Sequence, residues 1–414
     1  MVETISGLTF SDLQEMTHMQ KKLIALAVAS LASGAALAQT NVTVYGVADV
    51  GYVYSAGGAG RDPVTGLKIP GNNKFSGLAG GGVTAGNRLG FKGEEALGNG
   101  LKAVFTLEYG LNMDNNSGLG NTGGLDARQQ FVGLASNYGT LSLGRQYAPG
   151  FNATINNDAL EVTDLSLVSN LSVYAGNSIT PNSPARYNNS IAYTSNNLAG
   201  FTVSAIYGFG EATNPFTNAS LGTYNDKLVT VSDSGKVGLG LNYANGPINL
   251  DAVYQARQNV VVAVPNPPGF GKDVNEWYLG GSWDFKIVKA YASYQALDNN
   301  NRGVIALPVG CCLAKSNDLW TVGLSAPIGN GSVAVSYGKL SVDNRNAPDG
   351  DSWGWGAMYQ HNLSKRTALY VAYQYIDNDK YSVPAQSQSA GGGEGIGVLG
   401  ESNYALGAGI RHSF

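Results

Sequence analysis

Asn41-Val42-Thr43-Val44-Tyr45-Gly46-Val47-Ala48-Asp49-Val50-Gly51-Tyr52 changes character at every residue. Successive side chains of an extended strand point to opposite faces. Val42, Val44, Gly46, Ala48, Val50 and Tyr52 therefore share one face, and Asn41, Thr43, Tyr45, Val47 and Asp49 share the other. The first face is apolar and ends on an aromatic ring. About ten residues is the length a tilted strand needs to cross a bilayer.

The pattern recurs to the end of the chain. Phe201, Val203, Ala205 and Tyr207 form such a face, as do Val237, Leu239, Leu241 and Tyr243. So do Trp277, Leu279, Trp283 and Phe285, then Trp353, Trp355, Ala357 and Tyr359, and finally Tyr404, Leu406, Ala408, Ile410, His412 and Phe414. The opposite faces hold Gly, Ser, Thr, Asn and Lys, which suits a wet lumen better than the buried core of a sandwich.

The connections decide between those two. Short turns at 93–100, 136–139, 196–200, 245–247, 285–286, 329–331 and 362–365 alternate with long loops near 53–83, 110–125, 147–185, 209–232, 258–274, 298–317, 341–351 and 378–401. Together they join sixteen strands. Tight turns on one side and long loops on the other predict an all-β, transmembrane, antiparallel 16-stranded up-and-down β-barrel. Such a barrel is too wide for its wall side chains to fill. The third long loop, about 147–185, is the longest and is expected to fold into the lumen.

Composition agrees. The 414 residues include 57 Gly and 23 Tyr, and only 13% are charged, about half the usual share of a soluble domain. The mean hydropathy of −0.08 excludes a helical membrane protein. The formal charge of −4 gives no support to nucleic-acid binding, which needs a basic surface. No metal site and no cofactor site is expected. Cys311 and Cys312 are adjacent, a poor geometry for a disulfide and a poor metal site.

The one long apolar run follows Met19-Gln20-Lys21-Lys22 and ends at Ala36-Leu37-Ala38. A basic start, an apolar middle and a small-residue end read as a signal peptide over 19–38. Residues 1–18 carry Glu3, Asp12 and Glu15, unsuited to an export signal, so translation is expected to start at Met19. The barrel is expected to occupy 39–414.

An outer-membrane enzyme of the Ser–His kind needs a histidine at the outer rim. His18 lies in the leader, His361 beside a short turn and His412 on the lipid face, so no such enzyme is expected. A substrate-specific channel and an adhesive barrel would share the same wall of alternating strands. Sugar channels need an inward aromatic track, and the Tyr and Trp here fall mostly outward.

Several stretches are similar to Gram-negative general porins of the neisserial and burkholderial type. They are Val44-Tyr45-Gly46 with Asp49, Asn87 to Glu95, Leu97 to Ala103, Gly139 to Gln146, His361 to Tyr370, and Gly409-Ile410-Arg411-His412-Ser413-Phe414. The matches run in order along the mature chain. The resemblance implies a passive outer-membrane pore and a homotrimer, with the second loop reaching a neighbour and the third folded inside. It implies outer-membrane lipid and lipopolysaccharide as surroundings, and delivery to the barrel-assembly machinery through the last strand and Phe414.

Alternation places the charges. Leu89 and Phe91 face lipid, so Arg88 and Lys92 face the lumen; Leu101, Phe105 and Leu107 face out, so Lys102 and Glu108 face in. Phe131 is expected outside, which puts Arg128 and Gln130 inside. Tyr187 is expected outside, which puts Arg186 inside. Arg88, Arg128 and Arg186 match the basic cluster at the narrowing of the anion-selective porins. Asp158, Glu161 and Asp164 on the third loop would oppose them, a transverse field that orients dipolar solutes. Five bases against three acids lean toward anion preference.

Overall fold

In lipid a backbone N–H or C=O has no water to bond, so strands must pair on both sides. The computed structural model shows how they do. It describes residues 41–60, 70–114, 126–161, 163–210, 234–262, 269–301, 314–345, 348–383, 385 and 397–414. The leader, its extension and Cys311-Cys312 lie outside the described residues, as does most of the second loop.

Sixteen antiparallel strands close into a barrel. They are β1 (Asn41–Gly58), β2 in two segments (Asn72–Ala79 and Arg88–Gly98), β3 (Leu101–Gly110), β4 (Ala127–Ser136), β5 (Gly139–Tyr147), β6 (Arg186–Thr194), β7 (Phe201–Gly208) and β8 (Lys236–Asn245). Then come β9 (Ile248–Arg257), β10 (Val274–Asp284), β11 (Lys289–Asn299), β12 (Ala314–Ile328), β13 (Gly331–Asn344), β14 (Gly350–Asn362), β15 (Thr367–Asn378) and β16 (Ser402–Ser413). Each pairs with its neighbours in sequence, and β1 pairs with β16 from Val47↔Ser413 to Gly57↔Asn403. Phe414 finishes the seam: its N–H donates to Gly46 O and its carbonyl accepts from Gly46 N, both at 3.1 Å.

The outer face is apolar, as alternation requires. Leu279, Leu239 and Val335 are each at least half exposed on it. Ring contacts at 5.4–6.1 Å link Trp320, Tyr337, Trp353 and Tyr375 across successive strands near the long-loop end. Trp283 stacks on Phe285 beside a short turn. Trp277 and Trp283 on β10 are six residues apart, about 20 Å along a strand, close to the height of a lipid-facing band.

The second strand is broken on purpose. Asn72–Ala79 pairs with the upper half of β1, and Arg88–Gly98 with its lower half. Between them 80–87 leaves the wall and is held by Asp49, which is fully buried. The Asp49 carboxylate accepts Thr84 N at 2.7 Å, Thr84 Oγ1 at 2.6 Å, Ala85 N at 2.8 Å and Tyr370 Oη at 2.5 Å. Gly82 sits at φ 103°, a left-handed value that a side chain would resist.

The segment 148–185 packs against inward-facing wall residues. It carries α1 (Pro149–Asn156) and α2 (Leu167–Tyr174). Pro at the first turn of α1 is favourable there, because that N–H would be unpaired anyway. Leu160, Leu165, Leu167, Leu171 and Ile179 are at most 1% exposed. They are apolar residues in a loop, and they are buried because inner-face glycines make room. A Cβ on Gly240 would lie 2.6 Å from Pro149, one on Gly354 2.8 Å from Leu167, and one on Gly356 3.2 Å from Leu160. Polar ties complete the seat. Gln255 Oε1 accepts Gly150 N at 2.8 Å, Asp251 accepts Asn157 Nδ2 at 2.8 Å, and Glu276 accepts Ser178 N and Ile179 N at 2.7 and 2.9 Å. Gln374 Oε1 accepts Asn170 Nδ2 at 2.7 Å.

Gly240→Val should unseat Pro149 and destabilise the barrel by about 1–3 kcal/mol, the usual cost of overpacking. Urea unfolding of the refolded protein in lipid vesicles measures it; an unchanged midpoint would mean that this seat carries no packing.

Candidate functional site

Beside that segment lies a cavity of about 610 Å³, lined by five bases, Arg88, Arg128, Arg186, Lys289 and Arg411, and by the acids Asp158, Glu161 and Asp164. Three of the bases come from β2, β4 and β6 on one side of the wall. Behind them Glu108 on β3 is buried and accepts Arg128 Nε at 2.9 Å, Tyr45 Oη at 3.0 Å and Tyr147 Oη at 3.1 Å. Arg88 Nε stands 3.9 Å from the same carboxylate. One acid thus serves two arginines, and the trio keeps a net positive charge. Arg128 also donates to Tyr147 Oη at 3.1 Å, and the Arg186 guanidinium lies 5.8 Å from the Tyr147 ring.

Two strands reach this arrangement by a different route from the one alternation suggests. On β4 the outward residues are Val132 and Leu134, 58% and 48% exposed. Gln130 is therefore outside, where its amide donates to Tyr109 Oη at 3.3 Å, and Phe131 is on the inner parity. Arg128 still points in because the ladder slips there: Glu108 pairs with Gln129 and Tyr109 with Ala127, leaving Arg128 as the extra residue of a bulge. On β6, Gly144 pairs with Ser190 but Gln146 pairs with Tyr187, and Asn189 has φ 45°. This second bulge turns Tyr187 inward, fully buried against Ala148 and Ile206.

The acids differ among themselves. Asp158 is buried and accepts Ser166 Oγ at 2.7 Å. Glu161 is half exposed, sits at φ 56° and lies 3.8 Å from Arg411 Nη1. Positive φ in a non-glycine residue is strained and is often found where a side chain is aimed for use. Asp164 is tied by its N–H to Val83 O at 2.9 Å. Desolvation pushes its carboxyl well above the usual carboxylate range, the Asp49 carboxylate adds to this, and Arg128 opposes it.

Lys92 and Lys102 stand apart. Lys92 is four residues below Arg88, about 13 Å along the strand, with Nζ 5.3 Å from the Tyr45 ring. Lys102 lies beside the short turn and pairs with Glu94 at 2.9 Å, both well exposed. Neither lines the cavity. Lys289 and Arg411 take their places there, and both were accessible to the alternation argument. Ile410 and His412 hold the outer parity of β16, so Arg411 is inside; Tyr294, 48% exposed, puts Lys289 inside on β11.

A comparison with known proteins matches the Gram-negative porin family over residues 25–381. The chain is 31% identical to outer membrane porin protein 32 of Delftia acidovorans over 401 residues, covering 96% of this chain and 100% of that protein. It is 33% identical to the major outer membrane protein P.IB of Neisseria gonorrhoeae, covering 87% of this chain and 95% of that one. Its fold matches an anion-selective porin from Comamonas acidovorans with a TM-score of 0.66 and 26% identity, over 91% of this chain and 100% of that one. With a closed barrel, an apolar belt and an aqueous charged interior already in place, these matches leave one reading: the chain belongs to the Gram-negative porin family, passive channels of the outer membrane.

Proposed function

We propose that this porin is a general diffusion pore for ions and small hydrophilic solutes, weakly selective for anions, narrowed by the segment 148–185. The observation that carries the reading is the charge balance of the cavity. Glu108 offsets one of the two arginines it touches, and Glu161 stands near Arg411. Arg186 and Lys289 have no carboxylate at ion-pairing distance among the described residues. With Asp158 and Asp164 counted beside Glu161 and Glu108, five bases face four acids, and the excess is basic by one charge. It is also modest, because the guanidinium groups that border the aqueous cavity are screened by salt. Charges on facing sides make a transverse field, which favours dipolar solutes over apolar ones. The related structure described as anion-selective supports the same sign.

The pore works as a homotrimer in this reading. All five Trp lie on β10, β12 and β14, on the outer face. The opposite sector, around β1, β4 and β5, presents Val44, Val132, Leu134, Leu141 and Leu143 instead. Trp belongs at the lipid–water boundary, and a Trp-free aliphatic sector suits contact with another copy. An outer membrane protein of Vibrio cholerae, alike in fold only at 13% identity, is described in a trimer form. Export through the leader at 19–38, delivery through Phe414 and contact with lipopolysaccharide complete the proposal.

Three outcomes are expected. In a planar bilayer across a salt gradient, the refolded protein should give stepwise conductance and an anion-selective reversal potential. Arg186→Gln should move that potential toward zero, more at 0.1 M salt, where the screening length is about 10 Å, than at 1 M, where it is about 3 Å. A cation-selective wild type would refute the charge balance. Lowering the pH should raise anion selectivity starting above the usual carboxylate range, because Asp164 takes up its proton early and loses its negative charge. Asp164→Asn should remove that first step; superimposable titrations of the two proteins would show that Asp164 has no part in it.

A further inference from the structure

Most large apolar residues of the segment 148–185 are hidden against the wall. Among the described residues Ile155 is the exception, 37% exposed on the lining of the cavity. It lies one helical turn from Phe151 on α1, and both line the cavity of the arginine row. Phe151 is held rigidly. Its ring stacks on Tyr147 at 3.6 Å with planes 4° apart, and Tyr147 is in turn fixed by Arg128 and Glu108. An apolar ledge therefore shares one water-filled space with a line of guanidinium groups.

Arg186 is the base in that line best placed to take a ligand. Arg88 and Arg128 share Glu108, whereas Arg186 has no carboxylate at ion-pairing distance among the described residues. Its Nε is buried and has no hydrogen-bond partner. That Nε is closed to solvent, but the rest of the residue borders the cavity, and a carboxylate is the acceptor that fits a guanidinium fork.

Building on the anion reading above, we propose that the cavity holds an amphiphilic subsite for carboxylates that carry an apolar body, aryl carboxylates above all. The carboxylate sits on Arg186, and the ring covers Ile155 and the edge of Phe151. Chloride and acetate engage the first half of the site and leave the second wet. At about 610 Å³ the cavity admits such a solute with water around it, so the subsite slows passage without blocking it.

The test adds potassium benzoate or potassium acetate to a chloride electrolyte bathing the reconstituted channel and compares the concentrations that halve the chloride current. Benzoate should act at about threefold lower concentration than acetate, the effect of covering a small patch of apolar surface. Ile155→Asn should bring the two acids together, and Ile155→Leu should keep them apart. Arg186→Gln should weaken both acids alike. Equal potency of benzoate and acetate on the wild type, or an unchanged ratio in Ile155→Asn, overturns the subsite. The reversal potential is read in the same bilayers. A cation-selective value removes the anion reading on which the subsite rests; an anion-selective value without a benzoate preference removes the subsite alone.

Discussion

Everything in this molecule depends on the seam between β1 and β16. A sheet in lipid cannot leave an edge, because each unpaired N–H or C=O there costs several kcal/mol. Eleven residue pairs from Val47↔Ser413 to Gly57↔Asn403 remove the edge, and the terminal Phe414 bonds Gly46 in both directions. Closure fixes which face is wet. It also frees the inner face from the need to be apolar, so glycine and amides can occupy it in numbers that would weaken an ordinary core.

That freedom is used to seat a long segment. Inner glycines on β8 and β14 give Pro149, Leu160 and Leu167 their places, and buried Asp251, Gln255, Glu276 and Gln374 accept backbone or amide donors from it. Buried carboxylates are unfavourable unless several donors meet them, and each of these has them. The result is a segment with its apolar side chains against the wall and its acids toward the arginines.

The fold was legible because two signals agree: period-two alternation and the long–short rhythm of connections. The glycines pointed to a barrel, yet their specific function did not show in the sequence, since it depends on what lies across the lumen. Alternation also located Arg411 and Lys289 in principle. It failed at Phe131, Gln130 and Tyr187 for a definite reason. A bulge inserts one residue and inverts every later parity, and neither Arg128 nor Asn189 announces itself as a bulge residue by type. Lys92 and Lys102 illustrate a different limit: parity gives the face of a strand but not the height, and height decides membership of the cavity.

The three wall arginines share one further property. Arg88 is the first residue after β2 breaks, Arg128 is the unpaired residue of the bulge on β4, and Arg186 stands three residues before Asn189 in the bulge on β6. In regular ladder each would project straight across the strand at a height set by its neighbours. At an irregularity the backbone turns more freely, and the side chain can be aimed. The three irregularities fall on alternate strands, β2, β4 and β6. Glu108, on the regular strand between the first two, is the fixed point they turn toward. The regular ladder supplies the wall of this pore, and its three interruptions carry the arginines that line the cavity.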